Sequence, residues 1–213
     1  MQAVADVAPL DALISARTVW RAGRSTVSVP SGVPTGHAAL DALLPLGGWP
    51  RNALTEVLLP ADGVGELALV LPTLAALTQA GGIVALVAPP YLPYAPAWQA
   101  AGVDLRLLEV VEADARGALW AFEQCLRSAA CAAVLGWPQT GDARALRRLQ
   151  VAAGSGECLG FAFRDRRHAG NPSPAALRIE SARDAAAGNA WRILKCRGGN
   201  APSRCFVPQA AVH

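Results

Sequence analysis

The chain has 213 residues, 53% of them hydrophobic and only 16% charged, which is enough to bury one sizeable core and gives no sign of two comparable domains. Five cysteines without a C-x-x-C pair and three histidines far apart in sequence argue against a disulfide frame and against a zinc site. The formal net charge of +3 is unevenly spread: residues 1–143 carry seven arginines against twelve acids, while residues 144–213 carry eleven arginines and one lysine against four acids.

The first residues lack a basic start followed by an apolar run, so no secretory signal is read. From Pro9 to Arg24, the apolar positions Leu10, Leu13, Ile14 and Trp20 fall on one helical face and predict an amphipathic N-terminal helix, with Leu13 and Trp20 as its contact residues. A turn-rich linker, "STVSVPSGVPTG", follows. The expected division is therefore residues 1–32 as helix and linker, 33–207 as the core, and 208–213 as a tail.

Beyond the linker, short β-rich runs alternate with helical patterns. Strands are predicted near Leu54–Leu59, Ile83–Ala88, Leu105–Val111, Ala132–Trp137 and Leu159–Arg164, with helices over Val64–Ala80, Ala115–Ala129 and Asp142–Ala153. That alternation predicts an α/β fold, a mostly parallel sheet flanked by helices. Continuous runs such as "IVALVA" suit strands covered on both faces. After Pro174, the runs "AALRIES", "AWRILKC" and "RCFV" have no helices between them and predict antiparallel strands extending one edge. The longest apolar stretch, Leu67 to Ala88, is broken by Pro72, Thr78, Gln79 and Gly81-Gly82, so it reads as helix, turn and strand, and a soluble cytoplasmic protein is expected.

The segment "VPTGHAALDALLPLGGWPRNALTEVLL" (Val33–Leu59) resembles the start of the RecA-type ATPase core, in Thr35-Gly36, Leu40-Asp41, Gly47-Gly48, Pro50-Arg51 and Glu56. The likeness continues through "VALVAPPYLPYAPAWQAAGVDL". In that family a glycine-rich loop cradles phosphates, a lysine neutralises them and a hydroxyl holds magnesium. Carried onto this chain, the resemblance puts Pro60 at the first glycine, Gly65 at the second, Glu66 at the lysine and Leu67 at the hydroxyl. It puts Pro90 at the water-activating glutamate and Gly136 at the magnesium-associated aspartate. No cofactor and no catalysis are therefore expected.

Several segments, "TGHAALDALLPLGGWPRNALTE", "GVGELALVLPTLAAL", "RRLQVAA", "SPAALRI" and "ILKCRGG" among them, resemble the ImuA family of proteins associated with translesion DNA synthesis. The resemblance implies a non-catalytic member of a bacterial damage-induced mutagenesis complex. Its partner there is ImuB, an inactive relative of Y-family polymerases, and an error-prone C-family polymerase is reached through it. RecA and DNA are further partners to test, with DNA contact weak and insensitive to sequence. A second reading is a SulA-type division inhibitor, which also uses a RecA-like domain without a phosphate loop and binds the tubulin-like division protein.

Contact candidates follow from charge and stiffness. Arg144, Arg147 and Arg148 point away from the apolar stripe of their helix, and Arg164, Arg166 and Arg167 open the loop "RDRRHAGNPSP" where recombinases carry a DNA-contacting loop. Solvated arginines are the alternative for both. The three prolines of "PPYLPY" make a stiff loop that offers Tyr91 and Tyr94 to a partner, whereas the tryptophans at helical positions are expected to pack. Lys195 and Arg197 alternate along a strand, at the place where recombinase filaments carry a basic pair that reaches the neighbour's nucleotide. Edge-strand charges that discourage aggregation are the alternative there.

Overall fold

The computed structural model describes residues 31–140, 142–184 and 188–208; the predicted helix around Leu13 and Trp20 and all but the first residue of the predicted tail lie outside them. Seven strands form one sheet: β1 (Ala53–Leu59), β2 (Ile83–Val87), β3 (Leu108–Val111), β4 (Cys131–Gly136), β5 (Leu159–Asp165), β6 (Leu177–Asp184) and β7 (Gly188–Cys196). Their order is β3-β2-β4-β5-β1-β6-β7. Helices α1 (Ala38–Asp41), α2 (Glu66–Gln79), α3 (Ala95–Ala100), α4 (Ala118–Arg127) and α5 (Ala143–Ser155) cover it. Because successive strand residues face opposite ways, β2 sends Val84 and Leu86 into a core with Leu69, Val70 and Leu74 of α2. It sends Ala85 and Val87 into a second core with Phe122, Leu126 and Leu149 of α4 and α5.

The expected α/β sheet is present, with two differences at its C-terminal edge. Strand β6 runs parallel to β1, and only the β6–β7 pair is antiparallel. The run "RCFV" supplies an isolated bridge, Trp191 to Phe206, and no strand. Elsewhere, Leu105–Leu107 is a 3-10 turn and not the start of β3, because the Asp104 carboxylate accepts the Arg106 amide at 3.0 Å and caps the turn. Trp49, Trp98 and Trp137 are buried as expected, but Trp120 on α4 is 63% exposed.

The Thr35-Gly36-His37 segment is explained by Pro72 inside α2. Proline has no N–H, so the carbonyl of Ala68, four residues earlier, loses its helical donor. The His37 ring replaces it, with Nε2 at 3.2 Å from Ala68 O; a carbonyl only accepts, so this nitrogen carries the proton. Gly36 has φ of +81°, and a Cβ there would lie 2.3 Å from Pro72 Cβ, so the close approach requires glycine. Asp41 accepts the Thr35 amide at 3.0 Å, and the Thr73 hydroxyl, itself held by Trp49 Nε1 at 2.8 Å, donates to the Pro34 and Thr35 carbonyls. The motif that carries the RecA resemblance here clamps the segment before β1 onto α2.

Strands β5 and β6 both flank β1 and run the same way, so residues 166–176 must return from the end of β5 to the start of β6. Such crossovers usually contain a helix, which satisfies its own backbone. This one has only a 3-10 turn, Arg166–His168. Arg178 of β6 holds three of its carbonyls, donating to His168, Ala169 and Asn171 at 2.9, 3.0 and 3.1 Å. Its Nε also meets Glu56 Oε2 on β1 at 2.7 Å. The other Glu56 oxygen is paired with Arg164 of β5, whose second nitrogen donates to the Thr140 carbonyl. Glu56 and Arg164 are almost fully enclosed, with side-chain exposures of 0% and 2%. Arg164 is thus corrected from a DNA-contact candidate to a buried structural residue: its position opposite Leu58 sets it one pleat above Glu56, where ion pairing and not solvent takes its charge.

Glu56→Gln leaves two buried guanidinium groups without a counter-charge. It is expected to cost about 3–5 kcal/mol, read as a lower urea midpoint with unchanged slope; a midpoint equal to wild type rules out the triad as a stabilising core.

Candidate functional site

The loops at the C-terminal ends of the parallel strands are where ligands bind in open α/β sheets. The loop after β1, residues 60–65, leads into α2 with glycines at positive φ, Gly63 at +79° and Gly65 at +92°. Backbone amides turned inward in this way form an anion cradle at a helix N-terminus. Here the chain fills it itself. Glu66, 4% exposed, folds back so that Oε1 accepts the Gly63 amide at 2.9 Å. Its Oε2 is buried with no hydrogen-bond partner among the described residues. The Asp62 carboxyl beside it is pushed above the usual range by partial burial, then by the charges of Glu66 and Asp165. The loop interior is therefore anionic, and the chain's single lysine, Lys195, stands on β7.

The other positions carried over by the resemblance have surroundings of their own. Leu67 packs against the core, and Pro60 and Pro90 are exposed. Gly136 ends β4 under the Phe122 ring, where an added Cβ would lie 2.7 Å from a ring carbon. A side chain fits at that position only if the Phe122 ring shifts.

Three of the basic candidates converge. Arg144 and Arg147 of α5 line a shallow pocket of about 250 Å³ with Pro172, Ser173 and Pro174, and Lys195 Nζ donates to the Ser173 carbonyl from β7 at 2.8 Å. Burial and the neighbouring Arg178 and Arg197 hold the Lys195 ammonium below its usual range. Arg166 and Arg167 are exposed at the opposite end of the same crossover, and Arg197 is exposed past β7. Arg148 is engaged with Glu123, which also holds Arg127 at 2.7 Å. On the other side of the sheet, Tyr91 and Tyr94 stand 67% and 71% exposed, with Leu92 between them at 87%.

Two residues that organise this end of the molecule escape the sequence reading. Arg178 is one, although a lone arginine inside "AALRI" and a lone glutamate inside "LTEVLL", both on buried strands, signal a pair of opposite charges that need each other. Trp137 reads from sequence only as core. It is 9% exposed and stacked on Phe163 at 5.0 Å, yet its Nε1 has no hydrogen-bond partner among the described residues.

The strand order, the loop-to-helix step after β1 and the antiparallel β7 define an α/β protein of RecA-like arrangement. Comparison with known sequences agrees: RecA of Salinispora arenicola (strain CNS-205) is 34% identical over 108 residues, 51% of this chain and 31% of that protein. RecA of Leifsonia xyli subsp. xyli (strain CTCB07) is 32% identical over 111 residues, 52% of this chain and 31% of its own length. The chain spans about a third of the length of these curated relatives, and the similarity supports a RecA-like relationship over half of it. No protein-family model matches. Among solved structures, SulA from Pseudomonas aeruginosa aligns over 52% of this chain and 96% of its own, with 25% identity and a TM-score of 0.44.

Gly136→Asp reinstates the acid that the resemblance expects at this position, against the Phe122 ring. It is expected to destabilise the fold by roughly 2–4 kcal/mol, from overpacking together with a buried charge, seen as a lower thermal midpoint. A variant as stable as wild type means that the ring yields freely and that Gly136 is not closed by packing.

Proposed function

We propose that this chain is a non-catalytic RecA-like adaptor in a damage-induced translesion synthesis assembly. The observation that carries the reading is the Glu66 carboxylate seated on the Gly63 amide, an internal anion where a nucleotide's phosphates would need cations and free amides. A RecA-like core with that loop filled, and with Phe122 over Gly136, has surfaces to offer and no phosphoryl chemistry. Its surfaces are the exposed Tyr91-Leu92-Tyr94 loop and the basic group around Pro172–Pro174. The partner proposed from the family resemblance is ImuB, with the C-family polymerase reached through it.

The basic group suits weak, sequence-independent contact with a phosphate backbone, through Arg144, Arg147, Arg166 and Arg167. Lys195 contributes less to an outward contact, because its ammonium is already on the Ser173 carbonyl, so Arg197 is the freer member of the pair that a RecA protomer would meet.

Calorimetric titration with magnesium-ATP is expected to give no saturable heat, and ImuB is expected to retain the chain in a pull-down. A saturable isotherm removes the non-catalytic reading; capture by the tubulin-like division protein instead of ImuB replaces the adaptor by the division inhibitor. For DNA, replacing Arg144, Arg147, Arg166 and Arg167 by alanine should weaken binding alike on all sequences. It should also flatten the dependence of log K on log salt by about 0.9 for each duplex phosphate that is no longer neutralised. An unchanged slope moves the DNA-binding surface elsewhere.

A further inference from the structure

Trp98 of α3 is buried, as a tryptophan on a helix is expected to be, but Trp120 of α4 stands in solvent. Phe122, two residues on, turns into the core, so the register of α4 points the Trp120 ring outward. A single exposed apolar residue is ordinary, and its surroundings decide whether it has a use. With about 3.6 residues per turn, Trp120, Glu123 and Arg127 share one side of α4, and Arg144, Arg147 and Arg148 share one side of α5. Glu123 joins the two sides, holding Arg127 at 2.7 Å and also Arg148. Helix α4 links β3 to β4 and α5 links β4 to β5, all of them parallel, so the two helices run the same way. Trp120, one turn before Glu123, and Arg144, one turn before Arg148, therefore lie on the same side of that contact.

The charge of this face is one-sided. The two helices carry four arginines and one acid. The Glu123 side chain is 7% exposed, beneath Arg127 and Arg148 at 52% and 58%, so solvent meets the guanidinium groups and not the carboxylate. Asp114 and Asp142, which precede the helices, accept the Gly117 and Arg144 amides at 2.7 and 2.8 Å and are engaged as caps. Arg144 and Arg147 are exposed.

We propose that this face binds single-stranded nucleic acid, with a base stacked on the Trp120 indole and phosphates on Arg144, Arg147 and Arg148. The inference rests on the DNA contact proposed above and names the form of the strand. An acidic peptide answers the arginines but offers the ring no regular flat partner, whereas a nucleic acid strand brings a phosphate and a base in every residue. In a duplex the base faces cover one another, and only an unpaired base has a face free for the indole. The arginines set the salt dependence, and the ring sets the preference for single strands.

The test uses the full-length chain and fluorescein-labelled oligothymidylate of about 15 nucleotides, near the upper end of single-site lengths. Anisotropy titrations compare it with a strand of equal length whose sugars lack bases, and with a duplex. The expected result is that wild type binds oligothymidylate about tenfold more tightly than the abasic strand, the scale of one stacked base. Trp120→Ala should bring oligothymidylate down to the abasic level with an unchanged salt slope, and Trp120→Phe should keep most of the difference. Replacing Arg144 and Arg147 by alanine should flatten the slope on both strands by about 0.7 for each phosphate released. If Trp120→Ala binds oligothymidylate as wild type does, or weakens both strands alike, the inference is overturned. Equal, salt-dependent binding of all three probes by wild type also overturns it while leaving the phosphate contact proposed above in place; no binding of any probe removes both. Loss of ImuB retention by Trp120→Ala, with oligothymidylate binding intact, makes this a protein-docking face and overturns the inference as well.

Discussion

A carboxylate between two guanidinium groups, all three withdrawn from water, holds this end of the molecule together. Glu56 alone on β1 would be an uncompensated buried charge, and so would Arg164 or Arg178 on the neighbouring strands; together they are neutralised to a single positive charge, with Arg164 Nε the one donor among them left without a partner among the described residues. The arrangement also does what a crossover helix does elsewhere. Residues 166–176 have backbone carbonyls to satisfy and no helix to satisfy them, and Arg178 reaches three of these carbonyls. Through Arg164 the same carboxylate reaches Thr140, so the loops after β4 and β5 are referred to one point. The basic crossover and the loop after β4 are consequently two sides of one braced structure.

The loop after β1 shows how the chain itself can close a turn with the geometry of a phosphate cradle. The backbone still turns through glycines at positive φ and still ends on a helix N-terminus. Besides Pro60 and Leu67, what sets it apart is a negative side chain in place of the expected cation: Glu66 in the first turn of α2 reaches back to the amide of Gly63, three residues earlier. The favourable interaction of a negative group with a helix start is kept, and its source is now inside the chain.

The sheet was legible because β-branched and aliphatic runs such as "IVALVA" leave no polar face, which only a strand covered on both sides tolerates. Helix α5 was legible for the opposite reason, since Leu146, Leu149 and Ala153 mark one buried side and arginines the other. The direction of β6 was not, because a helix-free link between consecutive strands reads as a hairpin until it is known that β1 lies between them. At the site, the absence of the lysine at Glu66 could be read, but where its carboxylate goes could not; that depends on the turn at Gly63. Arg164 misleads because a charged residue at a strand end looks solvated, and its burial depends on Glu56, 108 residues away in sequence. Trp137 reads as packing, which is correct for its ring and silent about its N–H.

The bond between Glu66 and the Gly63 amide has a kinetic side. A carboxylate tethered three residues from the donor it occupies returns to it by local rotation, at an effective concentration set by the tether and not by the solution. A diffusing phosphate competes with a group that is always close at hand. On the non-catalytic reading proposed above, the conformation of this loop is set by covalent connectivity and does not follow the ratio of nucleoside triphosphate to diphosphate around it, as a switch loop does. On that reading, timing comes from outside the chain, from how much of it is made and from which surface is occupied first.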